Sequence, residues 1–177
     1  MLIPYKNCLV GGMETTFNDL KEKHLKLIET QWKLRERLQD NAGDLLREYA
    51  ESLYLPATSW TDSQGKVHPY VEIGTWSAPN KFEAIPLPRL QMDENYSLNF
   101  VIATTLDDSP MTGGHRHGVS ISLRYEHVFL YASIGSGEDT MQLQVSPKPG
   151  GFFEVCAAIK QLINISIDRA TPAAVLV

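Results

Sequence analysis

Cysteine is scarce in this sequence, with two residues in 177, Cys8 and Cys156. They lie far apart and form no Cys-x-x-Cys pair, so they indicate neither a disulfide framework nor a thiolate metal site. This usage is typical of a chain that is kept reduced, and it predicts a cytoplasmic location. A chain of this length buries about 70% of the surface that it exposes when unfolded, so it needs no disulfide or metal to fold.

Long apolar runs are also missing, since no run in the sequence approaches the about 20 residues that a bilayer-spanning helix needs. The N-terminal stretch is apolar, but Pro4, Lys6 and Asn7 interrupt it, and this does not match the pattern of a signal peptide. We therefore predict no membrane partner and interpret residues 1–13 as an N-terminal tail.

An excess of basic residues is absent as well. The chain has 16 Lys and Arg against 21 Asp and Glu, a net charge of −5 with neutral histidine. Nucleic-acid binding needs a basic surface that displaces counterions, so this balance argues against a DNA or RNA partner. An acidic chain is compatible with a basic protein partner, and protein inhibitors and immunity-type proteins are one class with this property.

What the sequence does contain is a long helical repeat over residues 14–56. Thr16 followed by Asp19 resembles a capping box with Asp in place of Glu, which predicts a helix that starts at Thr16. After it, side chains recur at spacings of four and three, close to a heptad register. The repeat consists of Leu20, His24, Leu27, Gln31, Leu34, Leu38, Asn41 and Leu45, and after one slip it continues with Tyr49 and Ser52.

A second stripe widens the apolar face in the first half of this segment. It consists of Phe17, Leu25, Ile28 and Trp32. Such a wide face suits a helix that packs on a domain, whereas a heptad register suits a coiled coil. Two interpretations stay open for Leu34 and Leu38: they contact a partner helix or a second copy of this chain, or the predicted sheet covers them.

The sequence Asn-Ala-Gly-Asp over residues 41–44 is a candidate break in this helix. Gly43 has the residue type of a left-handed position after a helix, and Asp44 has that of an N-cap. We therefore predict a helix near 16–40 and a shorter helix near 44–55, which Pro56 ends. The alternative is one continuous helix of about 60 Å.

After Pro56 the hydrophobic period changes from that of a helix to that of a strand. Two short runs form a first hairpin, and residues 77–95, punctuated by prolines, predict an irregular crossing. Six runs predict strands: Ser59–Asp62, Val67–Trp76, Tyr96–Thr105, Gly118–Tyr125, His127–Ile134 and Thr140–Val145. Short connections between the later runs indicate antiparallel neighbours.

The C-terminal part of the chain predicts a second helix over Phe152–Ile165, whose apolar side chains lie on one face. Cys156 lies on that face and is interpreted as a core residue rather than a nucleophile. The predicted fold class is α+β, in which residues 57–177 form an antiparallel meander of about 5–6 strands with this helix packed on one face. The helical segment belongs to the same globular unit.

Three aromatic side chains, Trp60, Tyr70 and Trp76, lie in the predicted first hairpin. Exposed, they would form a contact patch for a protein or a ligand, and buried, they belong to the core. We expect them to be buried, as large aromatic side chains usually are.

The segment Asp107–Gly118 is the best candidate for a functional site, because it joins two strong strands through a long, glycine-rich loop. His115 and His117 are two residues apart, so an extended backbone directs both imidazoles to the same side. A third metal ligand could come from Asp107, Asp108, Glu126 or His127. Arg116 with the glycine amides suits an anion or protein contact.

Each catalytic motif that we tested fails at a named position. The glycines at 113 and 118 have the spacing of a P-loop, but the lysine is missing and a strand follows where a helix is needed. Ser136 lies between two adjacent glycines, as in a hairpin turn, and lacks the spacing of a nucleophile elbow. We therefore predict no cofactor and no metal ion.

These observations predict a non-enzymatic protein–protein interaction module that binds another protein or a second copy of itself through the N-terminal helix. An inhibitor or immunity-type protein that covers its partner is one form of such a module. The alternative is a small enzyme or a ligand- or metal-binding domain that uses the Asp107–Gly118 loop, with His115 and His117 as base or ligands.

Overall fold

The computed structural model describes residues 14–174, so the predicted tail over residues 1–13 and Cys8 lie outside the described residues. The described residues form an α+β structure with two α-helices, α1 (Phe17–Ser52) and α2 (Phe153–Ala170). This confirms the predicted fold class. The chain divides into two units, Met1–Leu34 and Arg35–Val177, with the boundary inside α1.

The N-terminus of α1 has the predicted capping box. The Asp19 amide donates to Thr16 Oγ1 at 3.3 Å, and the Thr16 amide donates to Asp19 Oδ2 at 2.9 Å. These reciprocal hydrogen bonds satisfy donors that a helix start otherwise leaves free. They also hold the pKa of the Asp19 carboxyl below its usual value, since Thr16 donates to the charged form.

The prediction of two helices in this segment is wrong, because α1 continues through Gly43 without a break. A Cβ atom on Gly43 would lie 3.3 Å from Leu87 Cδ1, so the glycine permits a close approach within the helix. Asp44 caps no helix and instead pairs with Arg47 one turn later at 3.2 Å. Packing therefore overrides the two residue types that favoured a break.

The strands form two antiparallel sheets. A small sheet pairs β1 (Ser59–Thr61) with β2 (Val67–Pro69). A six-stranded sheet contains β3 (Val71–Ala78), β4 (Lys81–Ala84), β5 (Leu98–Thr105), β6 (Arg116–Glu126), β7 (Phe129–Ile134) and β8 (Met141–Val145). The spatial order is β4-β3-β5-β6-β7-β8, so the last four strands form the predicted meander. Two 3₁₀ turns lie at Leu87–Arg89 and Gly137–Asp139.

The sheet departs from the predicted pattern in its first part. The run 67–76 belongs to two strands that separate at Tyr70, so β2 and β3 join different sheets. The segment after it is more regular than expected, since β3 and β4 form a hairpin whose turn contains Asn80 at a φ of 60°. Asparagine tolerates this left-handed conformation better than most side chains.

One face of the six-stranded sheet is apolar and carries the core. The second half of α1 contributes Leu38, Ala42, Leu45 and Tyr49, all fully buried. Helix α2 contributes Val155, Cys156 and Ile159. The predicted contact of the C-terminal helix with one sheet face is confirmed, since α2 contacts β6, β7 and β8.

The two helices cap each other's ends within the unit Arg35–Val177. Glu48 Oε2 accepts a hydrogen bond from the Phe152 amide at 3.1 Å, at the start of α2. Lys160 Nζ donates to the Ser52 carbonyl at 2.8 Å, at the end of α1. An acidic group at a helix start and a basic group at a helix end both complement the helix dipole. Neither described helix combines the length and apolarity that a membrane crossing requires.

Candidate functional site

The loop that follows β5 is held in place mainly by its own first aspartate. Asp107 Oδ1 accepts from the Ser109 amide at 3.1 Å, and Asp107 Oδ2 accepts from Thr112 Oγ1 at 3.3 Å. The Asp107 carbonyl also accepts from the Gly114 amide at 3.1 Å. A Cβ on Gly113 would lie 2.4 Å from the Ser109 carbonyl oxygen, so only glycine fits this turn. Asp107 therefore has a structural role.

Asp108 is engaged on another side of the loop. Its Oδ2 accepts a hydrogen bond from the Tyr70 hydroxyl at 2.7 Å. This bond, followed by burial, raises the pKa of the Tyr70 phenol above its usual value. The Ser63 amide donates to the Pro110 carbonyl at 2.8 Å, which ties the loop to the turn of the small sheet.

The two histidines lie together where the loop enters β6. The ring centroids of His115 and His117 are 4.8 Å apart in an edge-to-face arrangement. Burial, followed by the charge of His115, lowers the pKa of the His117 imidazole below its usual value. A neutral imidazole can accept or donate a hydrogen bond at neutral pH, and it can take up a proton in weakly acidic solution.

Arg116 points to the opposite face of the sheet from His117, as strand alternation requires. Its Nε lies 3.1 Å from Glu72 Oε2, and its guanidinium carbon lies 5.4 Å from the ring centre of Phe82. The Arg116 side chain is 33% exposed, so its guanidinium is accessible to solvent and to a ligand.

The predicted site residues therefore divide into two groups. Asp107 and Asp108 are occupied by the loop and by Tyr70, whereas His115, Arg116 and His117 share the start of β6. In the part of the chain that the structure describes, no three His, Cys, Asp or Glu side chains are placed to hold a metal ion. The geometry supplies two adjacent imidazoles on one side of the strand and a guanidinium on the other, and all three can form hydrogen bonds with an acidic or peptide ligand at this end of β6.

Aromatic residues of the first hairpin show a mixed outcome. Trp60 and Tyr70 are buried, as expected, and the Trp60 ring stacks on His68 at 4.6 Å. Trp76 was expected to be buried but keeps 38% of its exposure. Its indole lies against Gly118, where a Cβ would be 2.4 Å from Trp76 Cη2, and its Nε1 donates to Ser120 Oγ at 3.0 Å. A glycine at 118 is the sequence feature that this packing of Trp76 requires.

The two leucines predicted to contact a partner differ in their surroundings. Leu34 is half-buried, whereas Leu38 is fully buried in the core of the unit Arg35–Val177. Leu38 is therefore covered by the protein itself and cannot contact a partner. The accessible part of the heptad repeat lies before it.

The first half of α1 exposes most of its apolar side chains. The exposed fraction is 77% for Phe17, 58% for Leu20, 56% for Trp32, 54% for Leu25 and 48% for Leu27. Apolar side chains on a monomer surface are ordinarily scattered, whereas these recur along one helix. The sequence pattern identified these residues as apolar stripes of a helix that binds a partner, but only Leu34 and Leu38 were named as candidate contacts.

Comparison with known proteins adds no relative, since no family model, no curated protein and no solved structure matches this chain. The geometry of the described residues is therefore the basis for any functional conclusion.

Proposed function

We propose that this protein is a non-enzymatic interaction module that binds a helix of a partner protein through the first half of α1. The leucine stripe is defined as Leu20, Leu27 and Leu34. The observation that carries this proposal is that Leu20 and Leu27 are exposed and Leu34 is half-buried, and that Phe17 and Leu25 beside them are exposed as well. An apolar helix face in water has a free energy cost of roughly 25 cal/mol per Å² relative to a covered one.

The second half of the same helix supports the proposal by contrast. Leu38 and Leu45 continue the heptad spacing of the leucine stripe and are fully buried by tertiary contacts. Heptad spacing is the pattern by which one helix packs on another. The exposed half thus has the residue pattern of a packed helix, and a partner helix would complete the packing.

The residues beside the leucine stripe favour a different protein over a second copy. In heptad terms the flanking positions are Lys21, Lys23, Ile28 and Thr30. Flanking positions of two coiled helices contact each other and set partner choice through ion pairs. A second copy would bring no carboxylate to either lysine at these positions, whereas a helix with acidic flanking residues would form ion pairs with both.

Two further parts of this proposal rest on the sequence. The scarcity of cysteine and the buried thiol of Cys156 favour a reducing, cytoplasmic compartment. The inhibitor or immunity-type role stays a prediction from the net charge of −5. The alternative of an enzyme or ligand-binding domain stays a prediction from the His115 and His117 pair.

A photo-crosslinking experiment in the native host tests the proposed surface. A photoreactive side chain placed at Leu27 should give one discrete adduct, whereas the same group at exposed Lys26, about 100° away around the helix, should give none. The adduct partner is then identified, purified and titrated with the full chain. Leu27→Glu should weaken binding at least about tenfold, since it places a charge in an apolar contact.

Lys26→Glu is the matched control, because it introduces the same side chain at an exposed position away from the leucine stripe. It should change the affinity by less than about twofold. Equal crosslinking from both positions would overturn the proposal. Sedimentation velocity that finds a dimer, lost on Leu27→Glu, would replace the partner protein with a second copy.

A further inference from the structure

Strand β6 lies inside the six-stranded sheet, but within residues 14–174 the first residues of β6 are paired on one side only. Strand β6 pairs with β5 as far as Arg116, which lies opposite Thr105. On its other side it pairs with β7 only from Ile121, which lies opposite Ile134. Over residues 116–119, therefore, β6 has a strand neighbour on one side only within the described part of the chain.

The backbone of this segment directs hydrogen-bonding groups toward the open side. The Ser120 carbonyl accepts from the Gly135 amide at 2.8 Å, so Ser120 faces the β7 side. Alternate residues of an antiparallel strand direct both their N–H and C=O groups to the same side. Arg116 and Gly118 therefore present their backbone donors and acceptors to the side where β7 has ended.

A groove lies along this edge. It has a volume of about 850 Å³, and its first wall is formed by the consecutive residues 116–120 of β6. Its second wall is formed by side chains of α2, namely Leu162, Ile163, Ser166 and Arg169. The turn at Pro79 and Asn80 lies at the groove as well. We name this site, between β6 and α2, the β6 notch.

One face of the β6 notch is apolar and the other is not, which suits a strand whose side chains alternate between apolar and polar. Val119 lies on the apolar face of the sheet, where Leu162 and Ile163 also line the notch. Gly118 lies on the other face, beneath the Trp76 ring. Successive side chains of a strand point to opposite faces, so every second residue of an occupant would meet the apolar group.

The cationic hydrogen-bond donors in the β6 notch favour an acidic occupant. Arg116, Arg169 and the imidazoles of His115 and His117 line it, whereas Asp139 is the one carboxylate among its lining residues. Asp139 pairs with Arg169 at 2.7 Å, and Arg169 still keeps 67% of its side-chain exposure. Arg116 is likewise paired, with Glu72 at 3.1 Å, and its side chain is 33% exposed. Each guanidinium therefore has one carboxylate partner and further N–H donors that a carboxylate of the occupant could accept from.

We propose that the β6 notch binds an extended peptide segment of a partner protein by strand addition, with apolar residues alternating with acidic ones. The segment would continue the ladder of β7 beside β6, and the outward N–H and C=O groups of Arg116 and Gly118 would be its main-chain partners. Main-chain hydrogen bonds supply affinity in this recognition mode, and alternate side-chain contacts supply specificity.

This site differs from the exposed half of α1 in both residues and ligand. The probe for it is a short peptide of alternating valine and glutamate, blocked at both ends. Titration into the isotope-labelled full chain should shift the amide signals of Arg116 and Gly118, and hydrogen exchange at the Gly118 amide should slow by at least about tenfold. A peptide of alternating valine and lysine should bind at least about tenfold more weakly.

Two exposed positions on α2 provide matched variants. Ser166→Trp places a large side chain in the β6 notch and should weaken binding of the acidic peptide at least about tenfold. Asn164→Trp introduces the same side chain on the same helix, outside the residues that line the β6 notch, and should change affinity by less than about twofold.

Several results would overturn the proposal: no binding of the acidic peptide at about 1 mM, equal binding of the lysine peptide, or equal affinity for both tryptophan variants. An added strand turns only one of its two alternate sets of amide N–H groups toward β6. If two peptides, each methylated on one of these sets, both bound as tightly as the parent, the proposal would also be overturned. Signal shifts confined to the leucine stripe would overturn the β6 notch and leave the proposed helix surface intact.

Discussion

The Tyr49 hydroxyl lies 2.7 Å from Thr104 Oγ1, and this buried hydrogen bond joins the C-terminal part of α1 to strand β5. Burial raises the pKa of the Tyr49 phenol, so the hydroxyl stays neutral in ordinary solution. We expect Tyr49→Phe to lower the free energy of unfolding by about 1–2 kcal/mol, since it leaves the Thr104 hydroxyl without this partner. Urea denaturation measures the change.

Thr104→Val and the double variant complete a mutant cycle for this pair. Valine has nearly the shape of threonine and needs no hydrogen-bond partner, so the double variant should lose less stability than the two single losses added together. Simple additivity of the two losses would show that the hydroxyls contribute independently.

Gly43 distinguishes a continuous helix from a broken one. We expect Gly43→Ala to raise the free energy of unfolding by about 0.5 kcal/mol, because alanine favours a helix interior and the flexible end of Leu87 can shift. Thermal or urea denaturation shows whether the substitution raises or lowers the free energy of unfolding. A loss of more than about 1 kcal/mol would contradict this expectation, since it would mean that Leu87 does not move aside.

Gly74 has a different constraint, since a Cβ there would lie 1.9 Å from the Glu83 carbonyl oxygen of the adjacent strand. Backbone cannot move aside as a side-chain end can. We expect Gly74→Ala to lower the free energy of unfolding by about 2–3 kcal/mol. The same substitution thus changes sign between the two glycines, and similar effects at both would refute the stated contacts.

The Cys156 thiol should react slowly with alkylating reagents in the native protein. Burial, followed by the charge of Glu48, raises the pKa of Cys156 to about 11. In a Cys8→Ser variant, the rate of alkylation should keep rising toward pH 11, whereas the urea-unfolded chain should level off near pH 9. A native rate that levels off near pH 9 would contradict burial of this thiol.

The raised pKa of Cys156 also determines the direction in which stability changes with pH. The folded state favours the protonated thiol, so the contribution of Cys156 is fully present below pH 9 and is lost as the pH rises toward 11. Cys156→Ala should reduce this loss, and a comparison of urea midpoints at pH 8 and pH 10 measures it.

His117 should titrate below the usual histidine range, because burial and His115 both disfavour its charged form. Nuclear magnetic resonance of the imidazole carbons gives its pKa directly. His115→Ala should return the pKa of His117 only part of the way to its usual value, since burial is the larger cause.

The lowered pKa of His117 also links folding to pH. The stability that comes from neutral His117 is present above pH 6.5 and is lost as the pH falls. A pKa above 6.5 would contradict this environment.

Local patterns in the sequence predicted much of the fold. The Thr16–Asp19 capping box, the alternation over residues 118–125 and the apolar face of the C-terminal helix each depend on neighbours within a few residues. Such short-range signals need no knowledge of the rest of the chain. They yielded the α+β class, the start of α1 and the later strands of the meander.

Positions where a distant contact competes with a local preference were predicted less well. Gly43 and Asp44 resemble a helix end, yet packing beside Leu87 keeps the helix continuous. Asn41, a polar residue in the heptad repeat, finds its partner in the Tyr125 hydroxyl at 2.7 Å. No spacing along the chain encodes a hydrogen bond between residues so far apart.

The candidate sites divide in the same way. Residue types and spacings were enough to single out the candidate segments, namely the histidine pair before β6 and the apolar stripes of α1. Three-dimensional packing was needed to show that Asp107 and Asp108 are engaged elsewhere, that Leu38 is buried, and that β7 ends short of the start of β6. Sequence patterns report on neighbours within a few residues, whereas burial and open edges depend on which distant segments meet in space.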